Sequence, residues 1–213
     1  MTILNQLATA LNRRDEVPNQ ELAERIVESR DKGAVRELVE NLNHKDKNIQ
    51  SDCIKVLYEI GERRPELIGA HAKEFGQLLD SKNNRLVWGA MTALDSIAAL
   101  EPKAVRAMLP KILAIADAGS VISRDHAVGI LAKLAALKPY TDVCAPLLIE
   151  QLTKSPNNQL PMYAEKALPV IAGKHEENFR RVLAKRIDGL EKESQKKRLL
   201  QVLKKLERRT GKH

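Results

Sequence analysis

A segment of about thirty residues recurs four times at an offset of 37, and self-similarity at such a period is the mark of stacked copies of one supersecondary unit. The clearest copies are residues 54–60, 91–97, 128–134 and 165–171. Leu57, Leu94, Leu131 and Leu168 occupy one column, and Ile60, Ile97, Leu134 and Ile171 another. Cys53, Ala90, Ala127 and Ala164 place a small residue just upstream. A unit of this length cannot bury its apolar face alone, so neighbouring copies must share one continuous core.

Each period holds two amphipathic stretches, and their apolar residues follow the helical spacing of 3.6 and not the strand spacing of 2. In the second copy, Phe75, Leu78 and Leu79 mark a short first helix, while Leu86, Ala90, Ala93, Leu94 and Ile97 mark a longer second one. Asp46, Asn83, Ser120 and Asn157 stand at one register between the two. Their short polar side chains can accept from the unpaired N–H groups at a helix start, which predicts a recurrent N-cap. Pro65, Pro102 and Pro139 recur after the second helix, where a residue lacking an N–H redirects the chain. Aromatic residues make up only 3% of the chain, so the helices must pack through aliphatic and small side chains.

The second-helix pattern of residues 86–97 resembles that of HEAT and armadillo repeats: a branched residue, then Ala, then Ala-Leu and Ile. The resemblance covers roughly residues 34–190. The period is shorter than the family's forty or so residues. The Arg common after the branched residue survives as Arg124, against Gln50, Val87 and Pro161 in the other copies. The resemblance implies an all-α, right-handed α-α superhelix, a solenoid of about five helical hairpins with eleven or twelve helices.

The chain is expected to form one domain: cap helices over 1–33, regular repeats over 34–173 and a basic hairpin over 174–213. Ile3, Leu4, Leu7 and Leu11 would form one face of a capping helix. Gly33 separates an N-terminal helical pair, with Leu22, Ala23, Ile26 and Val27, from the array, and Pro169 should kink its helix or end it early. Phe179, Val182, Leu183 and Ile187, then Leu199, Leu200, Leu203 and Leu206, would line the last hairpin.

Second helices line the concave side of such a stack, so the rows beside the core columns are the ligand-facing ones. They read Ser51, Trp88, Asp125, Met162; Lys55, Thr92, Gly129, Lys166; and Tyr58, Asp95, Ala132, Pro169. The single tryptophan, Trp88, with Tyr58, Met162 and Tyr163, is the candidate apolar patch, rimmed by Lys55, Arg85 and Asp125. Aromatic and Arg side chains in that combination are favoured at protein-binding hot spots. The same Trp88 could instead cover the seam between adjacent helices. Gly89 and Gly129 suit close helix approach.

The charge of +8 has one source. Residues 174–213 carry 14 Lys or Arg against 6 Asp or Glu, and residues 1–173 carry 22 of each. Lys196, Lys197, Arg198, Lys204, Lys205, Arg208 and Arg209 are therefore the candidate contacts to phosphate or to an acidic partner, unless the segment is simply a solvated cap. Glu191, Glu193 and Glu207 interrupt the basic run, and no aromatic is interleaved for base stacking.

Catalytic and metal motifs are lacking. His44, His71, His126, His175 and His213 are scattered, Cys53 and Cys144 form no ligand pair, and no cofactor is implied. A HEAT-like DNA glycosylase for alkylated bases, the enzyme alternative, needs a carboxylate about one turn after an aromatic. Four residues beyond Trp88 stands Thr92, with Asp95 two turns away. No run approaches the roughly 20 apolar residues of a membrane span. The N-terminus has no secretory pattern, and Cys53, in a column otherwise filled by Ala, reads as a small buried thiol that suits a reducing cytoplasm. The expectation is a cytoplasmic, non-enzymatic scaffold binding a protein or peptide on its concave face, with the basic terminal hairpin as a secondary contact for an acidic partner and nucleic-acid binding by that hairpin as the alternative.

Overall fold

The computed structural model describes residues 2–210; Met1, which would have begun the capping helix, and residues 211–213, His213 among them, lie outside the described residues. Twelve α-helices and six 3-10 turns make up the described chain, with no strand among the described residues. Two compact units are distinguished, Met1–Ala127 and Val128–His213.

The first unit contains α1 (Val17–Ser29), α2 (Lys32–Glu40), α3 (Lys47–Arg63), α4 (Ala72–Leu78), α5 (Asn84–Ile97), α6 (Pro102–Ala107), α7 (Leu109–Ala118) and the start of α8 (Val121–Ala135). Helix α3 packs against α1, α2 and α5, and α4 packs against α5. Cys53, Leu57, Ile60, Ala90, Leu94 and Ile97 are fully buried, so the repeating columns are the core. The caps form as the register predicts. Asp46 accepts from the N–H of Asn48 at 2.8 Å, Asn83 from Arg85 at 3.1 Å, and Ser120 from Ser123 at 3.4 Å. Pro65 opens a 3-10 turn and Pro102 opens α6, both at positions whose N–H needs no helical partner.

Two N-terminal expectations are corrected. Residues Ile3–Gln6 form a single 3-10 turn instead of a capping helix, leaving Leu7 buried but Leu11 51% exposed. The backbone donors that would continue a helix are taken by side chains of other helices. Ala8 N–H donates to Asn19 Oδ1 at 3.0 Å and Thr9 N–H to Asp52 Oδ2 at 2.8 Å, after which the chain reverses at Asn12, φ 53°. The break before the regular array falls at Arg30 and Asp31, not at Gly33. Arg30 ends α1 in the left-handed conformation, and Asp31 caps α2 by accepting from Ala34 N–H at 2.9 Å. One helix, α1, therefore precedes α2, and Gly33 lies within α2.

The second unit continues through α8 to α9 (Thr141–Lys154), α10 (Leu160–Ala167), α11 (Glu176–Asp188) and α12 (Glu193–Thr210). Helix α11 packs against α9 and α12, and α10 against α9 and α12. As Pro169 implies, α10 stops at Ala167 and a 3-10 turn Leu168–Val170 follows, which leaves Leu168 only half-buried. Asn157 is not a cap. Its Oδ1 accepts from Arg186 Nη2 at 2.9 Å, and α10 begins later. Arg186 also donates to the carbonyls of Leu152, Thr153 and Ser155 at 2.7 to 2.8 Å, supplying partners to acceptors that the end of α9 leaves open. In α12 the buried residues are Leu199, Val202 and Leu206, while Leu200 faces outward at 54% exposure. No helix among the described residues is long and apolar enough to cross a membrane.

Candidate ligand-binding groove

The repeating register places Asn48, Ser51, Lys55 and Tyr58 along α3, and Arg85, Trp88 and Thr92 along α5, as stripes on the face away from the core columns. Together with Ile122 from the first turn of α8, they line one side of a groove of about 810 Å³ in the first unit. The opposite wall is the irregular segment from Ala8 to Glu16, with Asn19 and Asp52 beside it. Gly89 explains how close the two helices come. A Cβ there would stand 2.4 Å from Ile54 Cγ1, so only a glycine admits the present approach of α3 to α5. Trp88, next to it, keeps 36% of its surface exposed and lies on the groove wall.

Beneath Trp88 a short relay ties α5 to α8. Thr92 Oγ1 donates to the Trp88 carbonyl at 3.0 Å and lies 2.9 Å from His126 Nε2, while His126 Nδ1 stands 3.0 Å from Asp95 Oδ2. A carboxylate only accepts, so Nδ1 carries the proton in that bond. Asp95 thus holds this imidazole and is not among the groove-lining residues.

Lys55 lines the groove and is at the same time an internal tie. Only 9% exposed, its Nζ is 2.8 Å from Glu16, 2.7 Å from Glu59 and 4.8 Å from the Tyr58 ring centre. Burial opposes its charge, but the bonds to Glu16 and Glu59 outweigh it and raise the ammonium pKa above the ordinary lysine value. The tie fastens the segment before α1 to α3 and so fixes the groove's second wall.

No protein-family model and no curated protein matches the chain. Solved structures do. A designed armadillo repeat protein in complex with the peptide (KR)4 superposes with a TM-score of 0.66 at 16% identity, over 87% of this chain and 85% of that one. A second designed armadillo repeat protein gives 0.67 at 16% identity, over 95% and 99%. An engineered protein gives 0.66 at 20% identity, over 97% of each chain. The fold is an armadillo-type α-solenoid of helical hairpins.

Within that armadillo-type fold the remaining sequence candidates have different places. Asp125 is half-buried on α8 and is not among the groove-lining residues. Met162 and Tyr163 belong to α10 in the second unit, Met162 half-buried and Tyr163 fully buried. Tyr163 is corrected to a core residue: with Leu160, Ala164 and Ala167 it forms the buried stripe of its helix.

The basic residues of α12 divide into two groups. Arg198 grips Glu165 with Nε at 2.8 Å and Nη2 at 2.6 Å, and this pairing lowers the Glu165 pKa. Arg209 donates to the carbonyls of Leu168 and Ile171, and Lys196 pairs with Glu193. Lys197, Lys204, Lys205 and Arg208 are exposed. Arg198 and Arg209 thus tie α12 to α10 and the turn after it, while the Lys196 pair stays within α12; a charge count along the sequence does not distinguish such ties from a binding surface.

Sequence reasoning missed Arg14, Asn48 and Ile122. The last two were within reach, because Asn48, Arg85 and Ile122 share one register at the offset of 37. Arg14 was not, since it precedes the repeats.

Proposed function

We propose that this chain is a non-enzymatic scaffold that binds a protein or peptide in the groove around Trp88 and Arg85. What carries the reading is a part-exposed tryptophan beside an exposed arginine, both on one helix of an armadillo-type fold. Aromatic and Arg anchors in a concave site contribute disproportionately to binding. A designed protein of this fold was solved holding a peptide, which supports the choice of ligand class. Two buried cysteines, Cys53 and Cys144, suit a reducing compartment such as the cytoplasm.

The test is selection of phage-displayed peptides on the intact protein, followed by rebinding to Trp88→Ala and to Arg85→Glu. Selected peptides should lose affinity by about 2 kcal/mol or more on Trp88→Ala while the far-ultraviolet circular dichroism stays helical. Peptides that bind all three proteins equally would remove the groove from consideration. The nucleic-acid reading has fewer cations behind it than the sequence suggests, because Arg198, Arg209 and Lys196 are engaged within the second unit. Of the seven candidate bases, Lys197, Lys204, Lys205 and Arg208 are left to carry it.

A further inference from the structure

The groove is lined by four bases, Arg13, Arg14, Lys55 and Arg85, and three acids, Asp15, Glu16 and Asp52. All three carboxylates already have partners. Asp15 receives Arg13 Nε at 2.9 Å and Nη2 at 2.8 Å, an arrangement that, led by that hydrogen bond, lowers its pKa. Glu16 binds Lys55. Asp52 accepts Thr9 N–H on one oxygen and the Asn19 amide on the other, both at 2.8 Å. The same bonds engage Arg13 and Lys55. Arg14 and Arg85 are different: both are exposed, and no hydrogen bond or ion pair to either guanidinium occurs among the described residues.

We propose that the groove takes an acidic peptide segment, its carboxylates on Arg14 and Arg85 and an apolar side chain on Trp88 and Ile122. This rests on the scaffold reading above and adds the sign of the ligand. A guanidinium matches a carboxylate with two parallel donors, and charge-assisted bonds of that kind gain strength where water is excluded. A basic ligand would instead meet two unpaired cations, and would have to share or displace the existing partners of the acids it needs. The charge sense is therefore opposite to that of the (KR)4 peptide held by the designed protein of similar fold.

Both arginines are placed by structure. Arg14 lies on a segment tied at one end by Thr9 to Asp52 and at the other by Glu16 to Lys55. Arg85 sits in the first turn of α5, where Asn83 caps the helix through the Arg85 N–H. Trp88 and Ile122, 36% and 45% exposed, give the same groove an apolar surface. Two cations with apolar surface in the same groove fit a sparse acidic and apolar pattern better than a continuous phosphate backbone, which needs many cations in a row.

The experiment is fluorescence anisotropy with three labelled peptides of one length and a central Leu-Phe pair, flanked by Asp/Glu, Asn/Gln or Lys/Arg, at about 50 and 150 mM salt. The proteins are the full chain, Trp88→Ala, the double variant Arg14→Glu with Arg85→Glu, and a variant with Lys197, Lys204, Lys205 and Arg208 all changed to Gln. The acidic peptide should bind the full chain at least about tenfold more tightly than the amide peptide. The double reversal should abolish that binding and make the Lys/Arg peptide the preferred ligand, a gain that an unfolded variant could not show. Equal or tighter binding of the amide or basic peptide, lost in Trp88→Ala, overturns the acidic assignment and leaves the scaffold reading standing. Acidic binding that survives the double reversal and vanishes in the α12 variant puts the site elsewhere and overturns the proposal. Binding of none of the three peptides removes both readings. Single-stranded DNA bound as tightly as the acidic peptide, with the same sensitivity to the double reversal, assigns the groove to nucleic acid and overturns the peptide.

Discussion

Replacing Gly89 by Ala tests the helix approach on which the groove is built. In an ordinary helix interior this change stabilises by about 1 kcal/mol, because glycine loses the most backbone freedom on folding. Here the new Cβ would lie 2.4 Å from Ile54 Cγ1, 3.1 Å from Cγ2 and 3.3 Å from Cβ. Carbon atoms in contact prefer about 3.5 to 4.0 Å. The crowding reaches the Cβ of Ile54, which no side-chain rotation moves, and Ile54 is itself 1% exposed. Relief requires α3 and α5 to separate, an overpacking cost of about 3 kcal/mol at the upper end of the usual range. The net expectation is a loss of about 2 kcal/mol, or about 4 to 8 °C in Tm for a chain of this size. Ile54→Ala alone leaves a cavity and costs about 2 to 5 kcal/mol. In that background Cγ1 and Cγ2 are gone and only the milder 3.3 Å contact with Cβ remains, so Gly89→Ala should recover most of its ordinary gain of about 1 kcal/mol. The same substitution then changes sign, and the coupling between the two sites is about 3 kcal/mol. Urea and thermal unfolding of the four proteins, followed by far-ultraviolet circular dichroism, measures it. Additivity within about 0.5 kcal/mol, or a Gly89→Ala protein more stable than the parent, would refute the close-approach argument.

Glu59 is a buried carboxylate whose pKa burial tends to raise, but hydrogen bonds from Arg63 and Lys55 outweigh that and lower it. A depressed carboxylate stabilises fully above its unfolded value of about 4.3 and loses that contribution as pH falls through its lower folded value. The stability gap between the parent and Glu59→Gln, about 2 kcal/mol at neutral pH, should therefore close below about pH 4; a gap independent of pH would contradict the assignment. Cys53 is pushed up to about 12 by burial, with Asp52 and Glu37 adding to the shift, and Cys144 is also buried. Neither thiol should react with a disulfide reagent at about pH 8 until denaturant is added, which a colorimetric titration would show. Arg186→Lys keeps the charge but lacks the planar fork that reaches three carbonyls and Asn157; it should lower stability by about 1 to 3 kcal/mol, and an unchanged melting curve would mean the clamp is idle.

The parts of the fold legible in the sequence are those that repeat. Leu57 and Leu94, like Ile60 and Ile97, are fully buried because the same translation that repeats them stacks their helices. The caps at Asp46 and Asn83 follow for the same reason. What failed lies at the ends, where local pattern meets a tertiary competitor. Ile3, Leu4, Leu7 and Leu11 have helical spacing, yet Asn19 and Asp52 take the backbone donors that a helix would use. Asn157 has the residue type and register of a cap, but Arg186, distant in sequence, claims its oxygen. Leu200 fits the apolar period of α12, while burial falls instead on Leu199, Val202 and Leu206, one helical stripe.

The groove is half legible for a related reason. Its α3 and α5 wall obeys the offset of 37, so Trp88 and Arg85 could be named from register alone. Its other wall comes from residues 8–16, which belong to no repeat and are held by Glu16 to Lys55 and Thr9 to Asp52. A lysine at a ligand-facing register thus becomes a fastener, because a carboxylate from outside the repeat reaches it first. The same logic sets the chemistry of the row Asn48, Arg85, Ile122. The leucine column keeps one residue type, and Leu57, Leu94 and Leu131 are all fully buried, whereas this row changes from amide to cation to aliphatic along the groove. A stack of identical units has no preferred binding position along its length. It acquires one only where the outward row departs from the repeat, and in the first unit that departure centres on Arg85 and Trp88, opposite Arg14.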